Sequence, residues 1–276
     1  MSFIVEDGLN TSYIDSLLIA LFYTQTHLQN MLFQQPQDSK FVYLQELILN
    51  NFVNKIKKNY SIESSIINEI RNYSFVCDWK KNTYNLTGLF NVVDYFEFLT
   101  KGFDYNNLEI DIIEINRTKE FMKQLVIPYI EVVPKYDTNI KDLIDDWKNK
   151  IIRSNNKFIS YNFKEIPLMI PIYINRKEIN GSINVNKVDI YKKVKFKGKR
   201  VNLINDCEWN IHSIICHSSS GGGNYYSLIK NNNEWNIFSN NKIPSLSSFD
   251  MKNVNMCNKI KQECVLILYI YNDILK

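Results

Sequence analysis

The sequence has little glycine, proline or histidine, with eight, six and three residues of each type in 276. Because so few glycines and prolines are available, its turns must be built largely from Asn, Ser, Asp and Lys. No apolar run approaches the roughly 20 residues that span a bilayer, and the N-terminal MSFIVEDGLN lacks the basic stretch and apolar core of a secretion signal. We therefore expect a protein that is not secreted, has no membrane segment, and lies in the cytoplasm or nucleus.

The cysteines do not form a metal-binding pattern. There are five, at Cys77, Cys207, Cys216, Cys257 and Cys264, and none belongs to a C-x-x-C pair. Without such pairs a structural zinc site has no support. Without an export signal, an odd number of cysteines indicates reduced thiols. The sequence predicts neither a metal nor a cofactor.

What the sequence does contain is typical of a well-packed globular protein. Hydrophobic residues make up 45% and aromatic residues 13% of the chain, which excludes a disordered protein. The net charge of +4 comes from scattered Lys and Arg with no basic stripe, so we expect no nucleic-acid partner. The bias towards Asn, Ile, Lys and Tyr suggests an AT-rich genome, such as that of a protist or a large DNA virus, and hence a location that includes the virion.

The hydrophobic periodicity changes once along the chain. Spacings of three and four residues predict helices at SYIDSLLIALF, at DSKFVYLQELILNNFVNKIKK, at SIESSIINEIRNY and at NVVDYFEFLTKGF. Beyond about Glu120, short β-branched and aromatic runs predict strands, interrupted by one helix in TNIKDLIDDWKNKI with a cap at Thr138 or Asn139. The layout is therefore α+β. We expect one domain over residues 1–276, with a helical part at 1–119 and a β-rich part at 120–276.

Three stretches carry motifs in a fixed order. Gly8-Leu9 and Asn10-Thr11-Ser12-Tyr13 lead into the first predicted helix, which begins at Ser12. The helix NVVDYFEFLTKGF contains Asp94, Glu97 and Phe98. The later stretch IHSIICHSSSGGGNYYSLIKNNNEWNIFS contains a set of histidine, glycine and aromatic residues: His217, Gly223, Tyr225, Trp235 and Phe238.

Taken together, these motifs resemble the ubiquitin-specific protease family, the papain-like deubiquitinases. The first is similar to the family's cysteine box, G-L-x-N-x-G-N-T-C-Y, the second to its Q-D-A-x-E-F-L helix, and the third to its histidine box with G-H-Y and W-x-x-F-D-D. The resemblance implies a papain-like cysteine protease fold, with a helical N-terminal part packed on a mostly antiparallel C-terminal sheet. The segment between Glu120 and Lys157 is short and holds no paired C-x-x-C, so we expect reduced fingers.

The residues that carry the family's chemistry are replaced. That chemistry needs a thiolate, a histidine that accepts its proton, a carboxylate or amide that orients the histidine, and an Asn that stabilises the oxyanion. At the corresponding positions, in that order, this sequence has Ser12, Asn224, the pair Ser239-Asn240, and Asp7. A serine needs a neighbouring base, an amide is not one at neutral pH, and a negative Asp7 would repel an oxyanion. We therefore expect no intact catalytic residue.

Three hypotheses follow from the resemblance and its departures. The first is a pseudoenzyme that serves as a structural or protein-interaction component of a larger assembly. The second is a module that binds ubiquitin or a ubiquitin-like protein without cleaving it, holding the tail beside Tyr225 and the 218–223 loop. A channel for that tail would be formed by residues that match family positions: Asp94, Glu97, Phe98, His217, Gly223 and Tyr225.

The third hypothesis is an active hydrolase. It would use Ser12 with an unexpected base, for which His217 is the candidate, or the chain would carry deliberate replacements of its cysteine and histidine. His217 corresponds to a non-catalytic family histidine beside the substrate channel. His27 is expected near the end of the first helix as a surface or packing residue, and His212 and His217, five residues apart on one strand, are expected to point to opposite faces.

Overall fold

The computed structural model describes residues 3–105, 108–116, 119–152, 157–178, 180–200, 203–218 and 223–271. The chain divides into two compact units, one made of residues 1–105 and 213–257 and the other of residues 106–212 and 258–276. The chain passes from one unit to the other at about residue 106, within strand β10 (Leu203–His217) and within helix α7 (Val254–Glu263).

The first unit is built on a helix that is buried on every side. All eleven residues of α1 (Ser12–Phe22) are buried, because its apolar side chains pack on α4, α5 and β11. The other helices of this unit are α2 (Lys40–Leu47), α3 (Asn54–Lys57), α4 (Ser64–Val76) and α5 (Val92–Gly102). The predicted helices are thus confirmed, with two local differences.

The first difference is in the second predicted helix, which contains one wider turn. Between α2 and α3, residues Ile48–Val53 form a π-helical segment, so the helix continues without a break from Lys40 to Lys57. Its first turn is capped by Asp38, whose Oδ1 accepts a hydrogen bond from the Lys40 backbone N at 3.1 Å. The second difference is a separate 3-10 helix at His27–Leu32, which places His27 after α1 has ended rather than at its last turn.

The sheet of the first unit is antiparallel. Strand β11 (Tyr225–Asn231) pairs with β12 (Glu234–Phe238), and β12 pairs with β13 (Leu246–Phe249). On its other edge β11 pairs with the last five residues of β10, with Ser213 opposite Ile229 and His217 opposite Tyr225.

The second unit holds a larger set of strands and one helix, α6 (Ile140–Lys148), capped by the predicted Asn139. Its strands are β1 (Leu108–Asn116), β2 (Lys119–Ile127), β3 (Ile130–Val132), β4 (Thr138–Asn139), β5 (Asn149–Ile152), β6 (Lys157–Phe163), β7 (Met169–Ile174), β8 (Val188–Asp189), β9 (Lys193–Arg200), the first part of β10, and β14 (Cys264–Tyr271). β1 lies between β2 and β6, and β7 lies between β3 and β14. The core centres on the buried Trp209, whose Nε1 donates a hydrogen bond to the Pro167 carbonyl at 2.8 Å.

The strands begin earlier than the sequence indicated. β1 starts at Leu108, within the part predicted to be helical up to residue 119, because Leu108, Ile110 and Ile112 alternate with polar residues and bury one face. The segment between Glu120 and Lys157, predicted to hold reduced fingers, supplies most of β2 and all of β3, β4, α6 and β5. Helix α7 was also missed, because it buries only Ile260 and Glu263 and its apolar periodicity is weak. Within the described parts of the chain, no helix has the length and apolar character needed to cross a membrane.

Candidate functional site

The turn that leads into α1 is fixed by close packing and by two hydrogen bonds. A Cβ on Gly8 would lie 2.7 Å from Thr11 Oγ1, so this position accepts only glycine without movement. Asn10 has a left-handed backbone (φ 58°), and its side-chain Nδ2 donates to the Thr87 carbonyl at 2.8 Å. Arg71 donates to the carbonyl of Leu9. The Gly-Leu-Asn-Thr sequence therefore places the first residue of α1, Ser12, at a defined point.

Ser12 is buried, and its hydroxyl is engaged with the backbone of β11. The backbone N of Tyr225 donates a hydrogen bond to Ser12 Oγ at 3.1 Å. In this bond the serine oxygen accepts, whereas a catalytic base would accept the proton of the serine hydroxyl itself. The hydroxyl at the nucleophile position joins the start of α1 to the start of β11.

Three of the predicted histidine-box residues, His217, Gly223 and Tyr225, lie close together where β10 ends and β11 begins, whereas Trp235 and Phe238 lie on β12. The rings of His217 and Tyr225 lie 4.6 Å apart between centroids, on paired residues of the two strands. Gly223 has a φ of +75°, and a Cβ there would lie 3.1 Å from His217 Nε2, so glycine is required both by the backbone and by the histidine. The Asn224 carbonyl accepts a hydrogen bond from the Ser218 backbone N at 2.9 Å, which extends the contact between the end of β10 and the start of β11. Residues 219–222 of the predicted 218–223 loop lie outside the described residues.

Two carboxyl groups of the candidate site are bridged by one amide. Asn240 Nδ2 donates hydrogen bonds to Asp7 Oδ1 and to Asp15 Oδ2, each at 2.9 Å. Thr11 Oγ1 is 3.3 Å from the same Asp15 oxygen and donates to it. An amide nitrogen carries two hydrogens, so Asn240 can serve both carboxylates at once. These bonds connect the segment before α1, the first turn of α1 and the turn after β12.

Asp15 was missed by the sequence reasoning. It is completely buried, and its Oδ1 has no hydrogen-bond partner among the described residues. Burial raises the pKa of Asp15 well above its ordinary value; the hydrogen bond from Asn240 opposes this rise, the negative charge of Asp7 adds to it, and the bond from Thr11 opposes it. The signal that could have found this residue is simple, since Asp15 is the one charged residue in the apolar helix SYIDSLLIALF.

Asp7 and Ser239 differ in what they contribute. Asp7 keeps more than a third of its surface in water, but partial desolvation still raises the pKa of its carboxyl. Ser239 is held through its backbone, whose N donates to the Ser245 carbonyl at 2.8 Å and whose carbonyl accepts from the Lys242 backbone N at 3.2 Å. Of the two positions where the family has acids, Asn240 therefore belongs to the bridged cluster and Ser239 forms part of a turn.

Of the three α5 residues predicted to line a ubiquitin-tail channel, two contact other side chains and one is exposed. Asp94 forms an ion pair with Lys80 at 2.6 Å, and Glu97 is exposed. The half-buried Phe98 packs at the edge of a cluster of aromatic rings: Phe41, Tyr13, Phe75, Trp79, Phe90 and Tyr95. The assignment of Asp94, Glu97 and Phe98 to a ubiquitin-tail channel stays a prediction.

The described residues contain no group of three or more His, Cys, Asp or Glu side chains placed to hold a metal ion. The buried cysteines are Cys77, Cys207, Cys216 and Cys264, and burial raises the pKa of Cys77 to about 11. A thiol with a raised pKa is a poor nucleophile at neutral pH.

Among the comparisons with known proteins, only the solved structures bear on the fold. No family model matches the sequence, and no curated protein matches it. Among solved structures, the chain is similar to the SAGA Ubp8/Sgf11/Sus1/Sgf73 DUB module bound to ubiquitin aldehyde, with a TM-score of 0.71 and 13% identity over 99% of this chain and 70% of that chain. It is also similar to the SAGA DUB module in which Ubp8 carries a substitution, bound to monoubiquitin, with a TM-score of 0.70 and 14% identity over 99% and 69%. For the Ubp8-Sgf11-Sgf73-Sus1 module the TM-score is 0.68, with 13% identity over 99% and 68%.

These neighbours establish the architecture of the chain and no more, because the sequence identity is low. The predicted α+β fold of the ubiquitin-specific protease type is confirmed.

Proposed function

We propose that this chain is a catalytically inactive protein with the ubiquitin-specific protease fold, which acts as a structural or protein-interaction component of a larger assembly. The observation that carries the proposal is the hydrogen bond from the Tyr225 backbone N to Ser12 Oγ. An attacking serine must give its proton to a neighbouring base. The residue in the position of the family's histidine is Asn224, whose amide cannot accept that proton.

The positions that differ from the family also support a structural role. Asn240, Asp7 and Asp15 are joined to one another by hydrogen bonds, with Thr11 donating to the same Asp15 oxygen. A carboxylate at position 240 would face two other carboxyl groups. An amide at position 240 is therefore compatible with a carboxyl group at position 7. This is expected if the residues that differ from the family stabilise the fold.

A second candidate function is the binding of ubiquitin or a ubiquitin-like protein without cleavage. It is favoured by the similarity to modules described as bound to ubiquitin aldehyde and to monoubiquitin. Its structural basis would be the ordered pair His217 and Tyr225 beside Gly223, where an extended tail could pair with backbone groups. In either case the partner is a protein, and the AT-rich source proposed from the sequence, such as a large DNA virus, makes a viral particle a candidate assembly.

The experiment that tests the proposal combines turnover and binding. The unmodified protein and its Ser12→Cys/Asn224→His double variant are incubated with a fluorogenic ubiquitin substrate, and isotope-labelled ubiquitin is titrated with the unmodified protein and followed by NMR. We expect no turnover by either protein, because Asp7 and Ser239 remain unsuited to oxyanion stabilisation and histidine orientation.

Each outcome has a defined meaning. Turnover by the unmodified protein would refute inactivity. Turnover by the double variant alone would show that restoring the cysteine and the histidine is enough for catalysis. Chemical-shift changes confined to the C-terminal tail of ubiquitin would favour the binding module over the scaffold. Absence of shifts at high micromolar protein would remove ubiquitin as the partner.

A further inference from the structure

Strand β2 is an exposed edge of the second unit. Its nine residues pair with β1 in an antiparallel register from Leu108 opposite Ile127 to Asn116 opposite Lys119, and no other described strand pairs with its outer side. An edge strand presents a row of backbone N–H and C=O groups that another strand can bind. This edge has neither a proline within the strand nor a short length to prevent such pairing.

Apolar side chains are exposed on both faces of this edge strand. Four of its residues are large, apolar and solvent-exposed: Phe121 (56%), Met122 (66%), Leu125 (38%) and Val126 (59%). Successive residues of a strand point to opposite faces, so Phe121 and Leu125 lie on one face and Met122 and Val126 on the other. A helix or loop laid on the sheet would cover only one of these pairs. An added strand extends both faces at once and shields all four.

We propose that β2 pairs with β2 of a second copy of this chain, so that the protein forms a two-fold symmetric dimer by antiparallel strand addition. In such a dimer, if one residue contacts another across the interface, the reciprocal contact also forms. Two strands related in this way can pair only in registers that place one residue opposite its own copy. In only two of these registers does each of the four exposed apolar residues face a residue of the partner's β2. One register places Lys123 on the symmetry axis, and the other places Gln124 there.

The charges select between these two registers. With Lys123 on the axis, two lysines face each other directly, which destabilises a strand pair. With Gln124 on the axis, two amides face each other, and each can donate to and accept from the other. Met122 then lies opposite Val126 of the second copy and Phe121 opposite Ile127. The sequence of β2 is thus complementary to itself in one register.

The test is the oligomeric state of the full chain and its variants. Sedimentation velocity is measured from low micromolar to near-millimolar protein, for the parent, for Met122→Lys and for Val126→Lys. The matched control is Met251→Lys, since Met251 is also half-exposed (50%) but belongs to the other unit. We expect a concentration-dependent dimer, with a dissociation constant raised about tenfold or more by either β2 variant and unchanged by Met251→Lys.

Hydrogen exchange of the β2 amides provides an independent readout that needs no substitution. We expect slower exchange at high protein concentration for alternate β2 residues, whose N–H groups point away from β1. A monomer at every concentration would refute the proposal, as would a dimer that Met251→Lys dissociates and Met122→Lys does not. If the amides that point away from β1 are protected equally at every concentration, the outer edge of β2 is covered by this same chain, which would also refute the proposal.

Discussion

Replacing Asn240 by aspartate should destabilise the protein, although Asn240 resembles a position at which the protease family has aspartate. The side-chain Nδ2 of Asn240 donates to Asp7 and to Asp15 at 2.9 Å each. An ionised aspartate donates neither bond and places a third carboxylate beside two others. Hydrogen bonds to charged groups contribute about 1.5–3 kcal/mol each, and the bond to the partly exposed Asp7 lies at the low end. We therefore expect the free energy of unfolding to fall by about 2–5 kcal/mol near neutral pH.

The effect should depend on pH in a defined direction. Desolvation raises the pKa of both Asp7 and Asp15, so both carboxyl groups bind protons at a higher pH than ordinary aspartates do. In mild acid the three carboxyl groups of the variant can share protons and form O–H···O bonds. The loss of stability caused by Asn240→Asp should therefore be largest near pH 7 and smaller near about pH 4.5.

The assay is urea unfolding followed by tryptophan fluorescence at both pH values. The matched control is Asn253→Asp, an exposed position where the side-chain oxygen caps α7 by accepting from the Met256 backbone N, a role that aspartate performs equally well. The control should change the free energy of unfolding by less than about 0.5 kcal/mol. If Asn240→Asp is as stable as the control at pH 7, or loses as much stability at pH 4.5 as at pH 7, the bridged carboxyl cluster does not stabilise the fold as described.

Three further predictions concern single residues. Because the folded-state pKa of Asp15 is raised above its ordinary value of 3.8, the parent should lose stability as the pH rises from about 4 towards that folded value, and in Asp15→Asn this decline in urea-unfolding free energy should be smaller, with the contribution of Asp7 remaining. Arg176 is buried and donates to the carbonyls of Cys264, Asn184, Asn186 and Lys261. Arg176→Met should lower the unfolding free energy by about 3–5 kcal/mol, because the carbonyls lose their donor; a change under about 1 kcal/mol would contradict this. Gly223→Ala should lower the thermal midpoint measured by circular dichroism, because its φ of +75° and the 3.1 Å approach to His217 disfavour a Cβ, whereas alanine at the open Gly181 meets only the backbone penalty.

Ser12, which resembles the family's nucleophile position, makes a structural contact. Its hydroxyl is buried and accepts a hydrogen bond from the backbone of β11, which joins the first helix to the sheet of the same unit. A buried hydroxyl that satisfies a backbone N–H contributes to stability in the way any buried hydrogen bond does. The serine therefore has a role in the fold that does not depend on turnover.

Residues close together in the chain determined most of what the sequence alone could predict. The three- and four-residue spacing of Ile14, Leu17, Leu18 and Leu21 predicted α1, and Asn91 and Asn139 cap α5 and α6 as helix-start signals do. The order of the motifs around Ser12, Asp94 and His217 indicated the fold type. These signals are local because a helix or strand is stabilised first by contacts between residues a few positions apart.

The tertiary structure determined which residues far apart in the sequence lie in contact. Asn240 lies 233 residues from Asp7 and 225 from Asp15, and no spacing in the sequence links them. The exposure of β2 depends on which strands take the neighbouring positions in the sheet, a property of the topology and not of the alternating pattern of the strand itself. Asp15 was visible in the sequence as a charge within an apolar helix, but its significance came from the amide that the fold places beside it. The sequence therefore determined the elements and their family resemblance, whereas the burial and pairing of polar groups followed from packing between distant segments.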